Sequence, residues 1–158
     1  MMLHDVSDED FALMLARLAA TSVDAAAFAG AGIESSETLT HLRALAARLE
    51  RVWFRASWAI LVEDQIVGLI GCKAPPNAAG EVEIGYGVAA DRRRHGYATA
   101  AVANVVGLLT ARDDVRAILA QTVPSNVASH RVLERNGFER IGSRIDPADG
   151  ELIVWRRA

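Results

Sequence analysis

With a single cysteine, Cys72, the 158-residue chain cannot close an internal disulfide, and no cysteine and histidine spacing in it suggests a metal site. That fits a reducing compartment and leaves the fold to hydrophobic packing, with the thiol itself expected on a core strand. Long apolar runs are missing as well. None reaches the ~18 residues needed to cross a bilayer, and the first ten residues are acidic and polar instead of a basic segment leading into an apolar one. The expectation is a soluble, cytoplasmic protein with no membrane attachment. Positive charge is not in excess either: the formal net charge is -3, so the surface as a whole does not advertise nucleic-acid binding. Two common nucleotide loops are absent. G-x-x-x-x-G-K-[ST] occurs nowhere, and Gly85-Tyr86-Gly87 lacks its third glycine because Ala90 stands in that place. No repeat, low-complexity tract or long linker interrupts the chain. At 51% hydrophobic and 23% charged it can bury one core and is short for two, so residues 1–158 read as one domain.

What is present reads as alternating elements. Residues 2 to 6 suggest a short strand, followed by a helix capped at Ser7 or Asp8 with Phe11, Met14, Leu15 and Leu18 on one stripe. Thr21 to Gly32, alanine-rich and broken by Gly30 and Gly32, gives no clear signal. Ser35 or Ser36 caps a second helix whose Leu39, Leu42, Leu45, Leu49 and Val52 recur at helical spacing. Trp58 to Val62 and Ile66 to Gly71 form a hairpin across Glu63-Asp64-Gln65, apolar enough to be covered on both faces. Glu81 to Val88 alternates strictly, with Glu81, Glu83, Gly85 and Gly87 on one face. Then come a helix from about Tyr97 to Leu109 or Thr110, a strand over 115–123, and a helix from Asn126 to Arg135 closed by Asn136-Gly137. Phe138 to Ile145 and Leu152 to Arg156 make a last hairpin. The order implies an α/β (α+β) fold: a central mixed, mostly antiparallel sheet with helices on both faces.

The stretch from Val88 to Thr99 carries the chemistry. An apolar strand ends there in a basic, glycine-containing turn that opens a helix, and unpaired N–H groups at a helix start, with the positive end of the macrodipole, suit a pyrophosphate. Gly96 and Ala98 let a ligand lie against the backbone, His95 and Tyr97 lend main-chain groups, Thr99 continues the turn, and Arg93 and Arg94 offer guanidinium contacts. The other reading of Arg92 to Arg94, a nucleic-acid contact, has no support elsewhere in the sequence.

The spacing Arg93-x-x-Gly96-x-Ala98 resembles the acetyl-CoA pyrophosphate loop of the GNAT superfamily of acyltransferases. Asn126, Ser129 and Arg131-Val132-Leu133-Glu134, followed by Gly137-Phe138, resemble the signature of its branch related to ribosomal-protein N-terminal acetyltransferases (the RimJ/RimL type). Glu83-Ile84-Gly85-Tyr86 and Gly96-Tyr97-Ala98-Thr99 are similar to that branch too. The resemblance covers roughly residues 58 to 145. It implies the GNAT fold, acetyl-CoA as cosubstrate, no metal, and attack of an amine on the thioester.

Under the resemblance, Val88, Arg93, Arg94, His95, Gly96, Tyr97, Ala98, Thr99, Asn126 and Ser129 contact the cofactor. Glu83 is the candidate general base, directly or through water, with Glu81 sharing its facing, and a backbone N–H near Val88 binds the oxyanion. Many relatives place a tyrosine seven residues after the helix asparagine as proton donor to the thiolate. Leu133 stands there, which leaves Ser129 as the substitute, with Tyr86 and Tyr97 as weaker alternatives. His4, His41 and His130 read as surface residues. The acceptor is a protein N-terminal amine or a small-molecule amine, selected by the first two helices and the segment from Arg144 to Gly150. A noncatalytic acyl-CoA-binding module is the alternative, and monomer and homodimer are both compatible.

Overall fold

Seven strands form one sheet in the order β1-β2-β3-β4-β5-β7-β6, where β1 is Met2–Asp5, β2 Ser57–Val62, β3 Gln65–Cys72, β4 Glu81–Val88, β5 Ala117–Thr122, β6 Glu139–Asp146 and β7 Gly150–Arg157. The computed structural model describes residues 1–19 and 34–158, without the side chains of 17–19, so Leu18 and the segment from Thr21 to Gly32 lie outside the described residues. Every pairing is antiparallel except β4 with β5. The β2–β3 hairpin closes on two residues. Glu63 and Asp64 both take positive φ, 49° and 61°, the left-handed pair that matches strand twist, and Gln65 belongs to the strand. The strand expected from Val115 begins at Ala117, because the Val115 and Arg116 N–H groups close turns onto Arg112 and Gly80.

Helices α1 (Asp8–Ala19) and α2 (Ser36–Val52) cover one face, and α3 (Tyr97–Thr110) and α4 (Val127–Arg135) the other. Asp10 accepts from the Ser7 N–H and hydroxyl while Ser7 Oγ accepts from the Asp10 N–H, a reciprocal cap on α1; Ser35 Oγ caps α2 through the Thr38 N–H. On the α1/α2 face Phe11, Met14 and Leu39 pack with Ala59 and Leu69. Opposite, Val102, Val105 and Leu109 of α3 bury Ile60, Ile70, Ile84 and Ile118. Cys72 ends β3 inside this core, where burial pushes its thiol up to about 12.

Two-faced β4 follows from its alternation. Ile84, Tyr86 and Val88 point toward α3 and α4, while Glu81, Glu83, Gly85 and Gly87 point toward α1 and α2. Pairing with β5 stops at Glu83 opposite Leu119, whereas pairing with β3 continues to Val88. The two parallel strands therefore splay, and the main-chain groups of Tyr86 and Val88 face the gap.

Candidate active site

Beyond Val88 the chain makes a short 3-10 turn, Ala90–Arg92, and then the loop that starts α3. Two residues take left-handed backbone, Arg94 at φ 67° and Gly96 at φ 80°. A non-glycine residue held there is uncommon and such positions cluster at binding sites. Gly96 is the N-cap without a side-chain cap, and the first intrahelical bond runs from the Ala100 N–H to the Gly96 carbonyl at 3.0 Å, so the N–H groups of 96 to 99 precede the helical ladder. The basic residues have defined positions. Arg92 donates to Gln65 Oε1 at 2.6 Å, Arg93 Nε donates to the Val88 carbonyl at 3.1 Å, and the His95 ring donates from Nδ1 to the Arg93 carbonyl at 2.8 Å while stacking on Tyr97.

Helix α4 forms the opposite wall. Asn126 Oδ1 accepts from the Ser129 N–H at 3.1 Å and so caps the helix. Ser129 in turn accepts, at its carbonyl, a 3.3 Å bond from the Tyr86 hydroxyl, whose acidity burial weakens to about 12. Asn136, read from sequence only as a helix stop, also donates to the Thr99 carbonyl at 3.1 Å and to Val132 at 2.8 Å, fastening α4 to the first turn of α3. Between these walls lies a cavity of about 770 Å³ that reaches Val88 and Tyr86 on β4. Val88, Arg93, Arg94, Gly96, Tyr97, Ala98, Thr99, Asn126 and Ser129 all line it. His95 does not, because its ring is turned back onto the loop.

Leu133, seven residues after Asn126, is fully buried in the core. His130 is half-buried, not a surface residue: it bonds the Val123 carbonyl at 3.2 Å and lies over Trp155.

The acidic residues of β4 are on the other face. Glu83 receives the chain's one lysine, Lys73, at 2.5 Å on Oε1 and Gln121 at 2.9 Å on Oε2, and Gln121 accepts from Arg144 at 2.7 Å. This network ties Glu83 to the terminal hairpin. Glu81 is bound by Asn77 at 3.1 Å and Arg156 at 3.3 Å, hydrogen bonds that hold its carboxyl below the usual range.

One further residue, which no local pattern distinguishes, borders the site. Glu34 lies just before the Ser35 cap and extends to Gly87, where a Cβ would come within 2.6 Å of its Oε1. Burial raises the Glu34 carboxyl above the ordinary range, with the Arg93 charge acting in opposition. It borders a second pocket, of about 190 Å³, on the α1/α2 face. The two cavities share Tyr86 and Gly87. An acid before a helix start ordinarily serves the helix dipole, so only the tertiary approach to Gly87 distinguishes this one. Among the described residues no group of three or more His, Cys, Asp or Glu is placed to hold a metal ion, and no helix is long and apolar enough to cross a membrane.

Residues 1–139 match the family model described as "Acetyltransferase (GNAT) domain". A protein of Bacillus subtilis (strain 168), "Uncharacterized N-acetyltransferase YjdG", is 33% identical over 84 residues, 52% of this chain and 50% of that protein. The chain thus spans about half the length of the curated relative it matches. Among solved structures, AAC(6')-Ib with paromomycin and acetyl-CoA aligns over 99% of this chain and 92% of its own, with TM-score 0.70 and 19% identity. The ribosomal-protein-alanine N-acetyltransferase of Brucella melitensis aligns over 99% of both chains, with TM-score 0.70 and 18% identity. At these identities the structural likeness establishes the fold, the splayed mixed sheet described above.

Proposed function

Since the chain belongs to the GNAT acetyltransferase domain family, we propose that residues 1–158 act as one domain that transfers the acetyl group of acetyl-CoA to a primary amine by direct attack in a ternary complex. The observation that carries this is the helix start at Gly96–Thr99, whose unladdered N–H groups border the same cavity as the β4/β5 splay. The pyrophosphate lies on those groups with Arg93 and Arg94 beside it, and His95 contributes through its backbone. Pantetheine runs between the Val88 edge and the Asn126–Ser129 end of α4. A structure of the same fold solved with acetyl-CoA supports the choice of acetyl donor.

In the reaction the ammonium first loses a proton, which Glu83 takes through water from its face of β4. The amine nitrogen then bonds to the thioester carbon, and the N–H of Val88 stabilises the oxyanion. Collapse breaks the carbon–sulfur bond, and the second nitrogen proton balances the one delivered to the thiolate, with Ser129 as the donor. Two acceptor classes have support: a protein N-terminal amine, from the branch signature and the ribosomal-protein enzyme, and a small-molecule amine, from the paromomycin-bound structure.

The test is titration calorimetry with acetyl-CoA on wild type, Gly96→Glu and Arg93→Glu, together with thioester consumption over an amine panel. Both variants should lose affinity because bulk or negative charge occupies the pyrophosphate position. Unchanged affinity in both would refute the donor site, and binding without thioester consumption would make the chain an acyl-CoA-binding module.

A further inference from the structure

Resting on that reading, we propose that Glu34 binds the acceptor's ammonium and that the pocket beside it takes a single aromatic or branched aliphatic group, making the acceptor a primary amine with such a group next to its nitrogen. Four observations converge. The α1/α2-side pocket and the donor cavity have Tyr86 and Gly87 as common lining, which puts an amine in it beside the β4/β5 splay on the face opposite CoA. At that junction β4 has glycine, and the space a Cβ would take is filled by the Glu34 carboxylate. The walls behind it are apolar, supplied by Phe11, Leu42, Leu45, Trp58 and Leu69. Their volume suits a compact guest: at about 190 Å³ among the described residues, the pocket is comparable to a dry cavity of ~150 Å³ that accepts benzene.

Electrostatics favours the same assignment. Among the described residues, the other titratable groups bordering the pocket are Lys73, Cys72 and Tyr86, and Arg93 acts on Glu34 from the donor side. Lys73 is held by Glu83. Cys72 and Tyr86 are both pushed up to about 12, so they remain neutral across the working range. Glu34 therefore presents a desolvated negative charge to whatever enters, and an ammonium converts it into a charge-assisted pair. Glu83 does not bind the ammonium itself, since it lies about 13 Å from Gly87 along the strand and both its oxygens accept hydrogen bonds, so its part as base runs through a chain of waters. A polycationic sugar fits less well, since Glu34 is the one carboxylate among the described residues that line the pocket and most of its wall is apolar.

The experiment measures kcat and KM for phenylalaninamide, leucinamide, glycinamide, spermidine and O-benzylhydroxylamine, the last neutral at pH 7, with wild type, Glu34→Gln and Leu42→Phe. Acetyl-CoA affinity is titrated in parallel, and thermal melts verify folding. Glu34→Gln should raise KM for phenylalaninamide and leucinamide roughly tenfold or more, the loss of one charge-assisted bond, while leaving O-benzylhydroxylamine within about twofold. Leu42→Phe, which fills the pocket and keeps the carboxylate, should lower the preference for leucinamide over glycinamide. In wild type the KM for leucinamide should climb as acidity protonates Glu34, and this dependence should vanish in Glu34→Gln. A Leu-initiated tripeptide and 3-methylbutylamine separate the two sources of this chemistry: preference for the tripeptide assigns a polypeptide N-terminus, and equal use assigns a free amine. The proposal is overturned by an enzyme that binds acetyl-CoA normally but prefers spermidine, or by a Glu34→Gln variant that loses the charged and neutral nucleophiles equally. Absent acetyl-CoA binding in wild type would instead remove the donor reading, and the acceptor assignment with it.

Discussion

Alanine in place of two glycines eleven positions apart, Gly96 and Gly107, should move stability in opposite directions. Gly96 and Gly107 both present open space to an added methyl group, with nothing within 4 Å of the new Cβ, so neither substitution demands repacking. Only the backbone differs. Gly96 sits at φ 80°, where a Cβ costs about 1–2 kcal/mol, whereas Gly107 lies inside α3, where alanine is favoured over glycine by about 0.5–1 kcal/mol. With a Tm shift of about 2–4 °C per kcal/mol for a chain of this size, Gly96→Ala should melt roughly 2–8 °C below wild type and Gly107→Ala roughly 1–4 °C above it. Differential scanning calorimetry at neutral pH reads both. Acetyl-CoA titration then separates structure from ligand: Gly96→Ala should weaken binding by placing a methyl group in the donor cavity, while Gly107→Ala should bind as wild type does. A Gly96→Ala protein as stable as wild type would refute the left-handed turn, and unaltered affinity in it would remove the pyrophosphate from that turn.

Glu83→Gln should lower kcat by about a hundredfold or more with little change in acetyl-CoA affinity, as measured by thioester consumption at saturating donor; a retained rate would return proton removal to water alone. Ser129→Ala should reduce turnover more than donor affinity, and a loss confined to affinity would make Ser129 a positioning residue. Glu34→Gln should melt higher than wild type at pH 7. Burial raises the folded-state pKa of this carboxyl, so wild type loses stability as pH rises from the unfolded value through the folded one, and the two melting temperatures should converge toward pH 4. A less stable variant at pH 7 would show the carboxylate to be paired and not merely desolvated. Cys72, buried with its thiol pushed up to about 12, should resist a disulfide reagent such as DTNB in native protein and react on unfolding in urea.

Much of the donor side was legible because it is local. The strict alternation from Glu81 to Val88 fixes which residues share a face, and the glycine at 96 followed by a helical pattern fixes where unpaired N–H groups collect. The acceptor side was not, since it depends on approaches between residues far apart in sequence. Glu34 and Gly87 meet only after α2 packs on the sheet, and Gln121 links Glu83 to Arg144 across three strand pairings. The hairpin turn at Glu63-Asp64-Gln65 was legible, but not its two-residue closure: Glu63 has no preference for positive φ, and the strands on either side impose the geometry. Asn136 shows the limit of a motif reading, for its terminating role is local and its bond to Thr99 is tertiary.

The gap where β5 leaves β4 makes the sheet a partition with a slit in it, bordered at Tyr86 and Gly87 by a chamber on each side. On the proposed reading, thiol product and acylated product sit in different rooms at the end of turnover and depart by separate doors. Neither has to wait for the other, so the order of release is set by affinity and not by obstruction. A molecule joining a CoA-like half to an amine-like half could enter only by threading the slit. Such a compound would associate slowly, and once through it would be held from both faces by a strand too well paired on its β3 side to step aside.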